Sequence, residues 1–195
     1  PRVPERHGTA HVDFLRPVAE MVALCADTEL AEATLREEVN RLRLLLELGG
    51  PHVRGPDPRQ SLTSILGYLQ KWAVQGYVGF YLYDENSQSL SLHTPDPEVA
   101  KKMAPQGRTP VEGTLAGQAL RSRRTVVLDH SSLAGLPFPS VKRGMELGVK
   151  SLYLSPLLSE KGPLGVLKVA RCEDHAFSSR DIELLEQVAT TVAPV

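Results

Sequence analysis

Residues 149–170 constrain the fold more than any other part of the chain. Two apolar-rich runs flank Ser159-Glu160-Lys161-Gly162, which reads as an antiparallel hairpin closed by a short glycine-containing loop. Side chains alternate across a strand, so Leu152, Leu154, Leu167 and Val169 are expected on one face. Tyr153, Ser155, Val166 and Lys168 are expected on the other, and a two-residue or a four-residue loop leaves that division unchanged. A second hairpin runs from 77 to 93 around the turn residues Asp84-Glu85-Asn86-Ser87. Its first strand sets Val78, Phe80 and Leu82 against Tyr77, Gly79, Tyr81 and Tyr83, and its second sets Leu90 and Leu92 against Ser89, Ser91 and His93.

The apolar sets of both hairpins need helices to cover them, and the chain supplies these at each end. Leu62, Ile65, Leu66, Leu69, Trp72 and Ala73 recur at helical spacing over 59–75. A closing helix begins after Phe177, where Ser178 and Asp181 have capping-box spacing and Ile182, Leu185, Val188, Ala189 and Val192 form the apolar face. Upstream, 11–27 shows helical spacing, and from Asp27 to Leu48 the chain has neither Gly nor Pro. Leu35, Val39, Leu42 and Leu46 step by four, three and four, a seam of the kind that pairs helices into a homodimer. Leu15, Val18, Ala19, Val22 and Ala23 recur at one constant interval as Leu185, Val188, Ala189, Val192 and Ala193. The expected organisation is a disordered tail over 1–10, the last helix of an upstream copy over 11–27, a linker helix over 28–49 packing as the first helix of the next copy, and the rest of that copy over 50–195.

The connection from 94 to 148 is long and carries short elements of its own: a helix over 114–122, a strand over 125–128 and a helix over 140–147. It must pack on the sheet face that the terminal helices leave free. The expected result is an α+β sandwich, with a central antiparallel sheet, helices on one face and a cleft under short helices and loops on the other. The cleft candidates are Lys168, Tyr153, Tyr81, His93, Ser155 and Cys172. Lys168 stands in mid-strand between valines, so its ammonium needs an anion, a carboxylate or a route to water past Tyr153.

Several functions are excluded or disfavoured by what the chain lacks. A net charge of -1 and a single basic cluster, Arg121-Ser122-Arg123-Arg124, argue against direct nucleic-acid contact by this segment. Cys25 and Cys172 form no Cys-x-x-Cys pair, and His93, His130 and His175 match no metal spacing, so no metal is expected and a reducing, cytoplasmic setting fits. No apolar run is long enough to span a bilayer. Gly-x-Ser-x-Gly, His-Glu-x-x-His and a phosphate loop are absent, which argues against catalysis.

Ser151-Leu-Tyr-Leu-Ser-Pro-Leu157, Gly165-Val-Leu-Lys-Val-Ala170, Phe177-Ser-Ser-Arg-Asp181, Gly113-Thr-Leu-Ala-Gly117 and Leu128-Asp129 together resemble the GAF domains, small sensory domains with this layered architecture. Residues 164–173 look like the equivalent stretch of formate hydrogenlyase-type, sigma-54-dependent transcriptional activators. The resemblance implies a cytoplasmic sensor of a small molecule, acting through the terminal helices of a dimer, with output domains elsewhere. The alternative is a ligand-free dimerising spacer in a histidine kinase, cyclase or regulator. A cleft of a few hundred Å³ with Lys168 inside favours sensing; one filled by Leu115, Leu133 and Phe138 favours the spacer. The cyclic-nucleotide, bilin-binding and sulfoxide-reductase types of GAF domain each require residues that are missing here, and a reductase would depend on Cys172.

Overall fold

In the computed structural model the described residues are 19, 21–36, 38, 39, 42, 58–73, 76–160 and 162–193. Contacts divide the chain into two units, Pro1–Leu42 and Arg43–Val195. In the first, helix α1 covers 21–36 with no break after residue 27, and Leu35, Val39 and Leu42 are exposed. The expected tail over 1–10 and Leu46 lie outside the described residues.

The second unit is built on a six-stranded antiparallel sheet. After α2 (Pro58–Trp72) come β1 (Gly76–Asp84), β2 (Ser89–His93), α3 (Pro97–Met103), β3 (Arg108–Pro110), α4 (Leu115–Ser122) and β4 (Val126–Leu128). Then follow α5 (His130–Ala134), α6 (Pro139–Glu146), β5 (Ser151–Ser159), β6 (Gly162–Arg171) and α7 (Ser179–Val192). The strand order is β3-β2-β1-β6-β5-β4, so the two long hairpins meet where β1 pairs β6.

Local chemistry accounts for where the helices start. Ser178 accepts from the Asp181 N–H while the Asp181 carboxylate accepts from the Ser178 N–H, closing the expected capping box of α7. Thr114 caps α4 through the Gly117 N–H. Two short helices that the sequence reading passed over carry equally plain signals. Asp96 caps α3 ahead of Pro97, and Asp129 caps α5 through the Ser132 N–H.

Each face of the sheet buries its own apolar layer. On one, α2 and α7 cover Val78, Phe80, Tyr153, Leu157, Leu167 and Val169. On the other, the 94–148 excursion covers Tyr81, Leu90, Leu152, Leu154, Val166 and Ala170. The division expected along β1 and β6 is therefore observed, but β2 and β5 are turned over relative to it. In the first hairpin, a four-residue turn pairs Asp84 with Ser89 and hence Tyr81 with Leu92, which places Leu90 and Leu92 on the tyrosine face and His93 beside Phe80.

In the second hairpin the cause is a β-bulge. Leu158 pairs Pro163 but Leu157 pairs Gly165, so Leu164 is an extra residue on β6 and every later pair slips by one. Lys168 then stands opposite Leu154, and Tyr153 opposite Val169. The bulge lies where β1 also closes in. A β-carbon at Gly165 would sit 2.1 Å from the Tyr81 carbonyl oxygen, so only glycine fits.

Candidate functional site

Lys168 projects from the middle of β6 into the space between the sheet and the excursion. The floor there is Tyr81, Leu152 and Leu154; the roof is Met103, Leu115, Leu133, Val141 and Gly144, from α3, α4, α5 and α6. The cavity is about 30 Å³, room for about two water molecules. Lys168 is only 9% exposed. Its ammonium lies 6.0 Å from the centre of the Tyr81 ring, and among the described residues it has neither a hydrogen bond nor a carboxylate partner.

The electrostatics follow from that isolation. Burial pushes the Lys168 amine down from 10.5 to about 8, and the Arg143 guanidinium nearby pushes the same way. Burial raises the Tyr81 phenol to about 12, against a smaller opposing pull from Arg143. Arg143 belongs to α6 and donates from Nη2 to the Met103 carbonyl at 3.2 Å, which ties α6 to the end of α3. Its Nε is buried without a partner. The Tyr77 hydroxyl donates to the Leu147 carbonyl at 3.1 Å, fastening the exit of α6 to β1. The arrangement is a small apolar chamber with one cationic group, Lys168, and no carboxylate or imidazole among its lining residues. Its chemistry suits an anion.

A family model described as GAF domain matches residues 56–195. The chain belongs to the GAF family. Over 45 residues it is 47% identical to the formate hydrogenlyase transcriptional activator of Salmonella typhimurium, a match covering 23% of this chain and 6% of that protein. The match thus spans a small fraction of the curated relative's length. Among solved structures, the free methionine-R-sulfoxide reductase of Neisseria meningitidis, in complex with its substrate, superposes with a TM-score of 0.65 at 21% identity, covering 82% of this chain and 89% of that one. The GAF domain of an Acinetobacter phosphoenolpyruvate-protein phosphotransferase gives a TM-score of 0.62 at 16% identity, covering 82% of this chain and 91% of that one. At such identities the likeness is one of fold.

Of the six residues expected around the GAF cleft, the structure brings Tyr81 and Lys168 together and separates the others. Tyr153 lies on the opposite face against α2 and α7, its ring 5.9 Å from that of Phe177 and its hydroxyl buried without a hydrogen bond. Ser155 shares that face, 3.4 Å from the Thr125 hydroxyl. His93 is exposed at the end of β2, 3.4 Å from Ser91. All three follow from the strand reversals described above. Cys172 has the parity of Lys168 but is half-buried beside Gly148, outside the residues that line the cavity. Among the described residues that line the cavity there is no thiol.

Met103, which lines the chamber, and Arg143, which holds the Met103 carbonyl from α6, are absent from the sequence-based candidates. Met103 closes α3, which the Asp96-Pro97-Glu98 start would have revealed. Arg143 lies in the helix expected over 140–147, next to Lys142. Its Nη2 bond to the Met103 carbonyl ties α6 to a residue of the chamber wall.

Proposed function

We propose that this GAF domain is the sensory module of a transcriptional regulator, and that it responds to a small anion bound in the chamber over Tyr81 and Lys168. What supports the reading is one observation: a largely buried lysine with no carboxylate partner among the described residues, lining a small apolar cavity. A charge in that position costs several kcal/mol unless something neutralises it, so a ligand that supplies the negative charge gains a strong electrostatic advantage. The size of the chamber restricts the ligand to a few heavy atoms unless Leu115 and Leu133 move aside. An occupied chamber would favour one placement of the roof over another, and the ligand acts only through that difference in affinity. The terminal helices carry the change outward in a homodimer, paired through Leu35, Val39, Leu42 and Leu46. Leu35 and Leu42 are 65% and 52% exposed in this chain.

Isothermal titration with sodium formate, acetate, nitrate and butyrate, with acetamide as the neutral control, tests the reading. Binding of the small anions that Lys168→Met abolishes is expected. No heat from any anion would refute it.

The second reading, a ligand-free dimerising spacer, is favoured by the cavity's modest 30 Å³ and by Leu115 and Leu133 in its walls. It predicts no anion response, together with a dimer that Leu35→Glu and Leu42→Glu dissociate in sedimentation.

A further inference from the structure

Ser140, at the second position of α6, also lines the chamber. The start of that helix is built differently from those of α3, α4, α5 and α7. Asp96, Thr114, Asp129 and Ser178 each accept a backbone N–H of the first turn, whereas the Phe138 side chain at the head of α6 accepts none. The first turn of a helix presents amide hydrogens that its own carbonyls cannot reach, and it carries the positive end of the helix dipole. Pro139 has no amide hydrogen, and those of Val141 and Lys142 both fold back on the Phe138 carbonyl, at 3.0 and 3.2 Å. The N–H and hydroxyl of Ser140 are left without a hydrogen-bond partner among the described residues.

An uncapped helix start on an open surface binds water. This one borders the same small cavity as Lys168, which is nine-tenths buried and has neither a hydrogen bond nor a carboxylate partner among the described residues. Positive potential thus converges on one space from two elements, β6 and α6, and no lining residue is acidic.

We propose that the amino end of α6 is the second anion contact of this chamber, so that one oxyanion with at least two acceptor atoms, such as a carboxylate or nitrate, bridges the Lys168 ammonium on β6 and the free donors of Ser140 on α6. The inference rests on the anion-sensing reading above and adds to it the selectivity of the site and the element that detects occupancy. Lys168 supplies a point charge, while the Ser140 donors are directional and need an acceptor atom of their own. A planar oxyanion offers a separate oxygen to each, and a halide offers a single centre. Because the ligand meets α6 through its first turn, and Arg143 of α6 holds the Met103 carbonyl at the end of α3, occupancy fixes both helices of the roof. Apart from Lys168, the Tyr81 phenol is the one titratable side chain among the lining residues.

The test compares wild type, Ser140→Ala, Ser140→Asn and Ser140→Asp in calorimetric titrations with acetate, nitrate and chloride, and follows the Lys168 amine by NMR in the ligand-free proteins. Wild type is expected to bind chloride roughly tenfold more weakly than nitrate, for want of the second hydrogen bond, and Ser140→Ala to bind acetate roughly three- to tenfold more weakly than wild type. Ser140→Asp places a carboxylate where the ligand's is assigned, in a helix turn that favours acids. It should abolish acetate binding and raise the Lys168 midpoint from about 8 toward the ordinary 10.5. Ser140→Asn has the same size without the charge and should leave that midpoint in place. A merely structural role for Ser140 would give the two variants the same midpoint. If wild type binds acetate but the Lys168 midpoint is the same in Ser140→Asp as in Ser140→Asn, the α6 contact is refuted while the sensing reading stands. If wild type binds no anion at all, both fall together.

Discussion

Replacing Lys168 by Met should make the unliganded domain more stable, contrary to the usual effect of a substitution at a buried position. The fall of the amine from 10.5 to about 8 is worth roughly 3 kcal/mol against folding at neutral pH. Methionine has nearly the same length and no charge, so that cost disappears. What is lost is the cation–π contact with Tyr81, at 6.0 Å worth about 0.5–1 kcal/mol, and a few tenths from imperfect packing. A net gain of about 1–2 kcal/mol remains, or a Tm rise of roughly 3–8 °C for a domain of this size.

The pH dependence carries the same information with a definite sign. The folded state binds fewer protons than the unfolded state between about 8 and 10.5, so wild-type stability should rise as pH increases from 8 toward 10. The Tyr81 phenol opposes this above 10. Its folded value near 12 lies above the unfolded one, so its contribution is lost as pH rises toward 12. Calorimetric melting at pH 7, 8, 9 and 10 therefore gives a rising series for wild type and a flat one for Lys168→Met. A lower Tm for the variant, or a flat wild-type series, would show that the lysine is already compensated and would remove the argument for a missing counter-ion.

Three further substitutions test the fold that holds the site. Gly165→Ala forces a β-carbon to within 2.1 Å of the Tyr81 carbonyl and should cost several kcal/mol, read as loss of soluble protein or a collapse of the chemical-denaturation midpoint. Ser178→Ala removes half of the α7 capping box and should cost about 1 kcal/mol by urea unfolding, with the chamber's anion response unchanged. Deleting Leu164 removes the extra residue of the bulge but leaves Leu157 opposite Gly165 and every later pair in place, so a cooperative melting transition should survive. Loss of the transition in the deletion variant would mean that the bulge itself is needed to hold the two strands.

The sequence was legible wherever structure depends on neighbours in the chain. The strands from Gly76–Asp84 and Gly162–Arg171 each show a continuous alternation, and both expose to the chamber the residues that alternation assigns, Tyr81 and Lys168. The capping box at Ser178 and Asp181 was equally local. What failed was the relation between strands. Alternation states which residues share a face within one strand, but which faces of two strands coincide depends on the sum of paired positions. A single unpaired residue such as Leu164 changes that sum by one. The apolar content of β5 gave no warning, because Leu152, Leu154 and Leu157 are buried on whichever face they lie. With grease on both faces of the sheet, hydrophobicity ceases to report direction, and Tyr153, with a hydroxyl that looked suited to a cleft, is wholly buried against α7 instead.

That two-sided burial bears directly on Lys168. On a sheet with one face in water, a mid-strand lysine is unremarkable, since its stem lies along the strand and its amine reaches solvent. Here both faces are covered, and the strand around it, Val166, Leu167, Val169 and Ala170, is fully buried. Three outcomes are open to such a group: it loses its proton, it carries a permanent cost, or it meets an anion. The first is only partly achieved, because an amine near 8 is still mostly charged at neutral pH. The second is a cost of roughly 3 kcal/mol, a large part of the 5–15 kcal/mol that keeps a domain folded, and methionine or leucine would remove it. The third turns the same quantity into binding energy. It also predicts that anion affinity declines as pH rises through 8, where the ammonium is lost, and that acetate titrations at pH 7 and 9.5 differ at least tenfold.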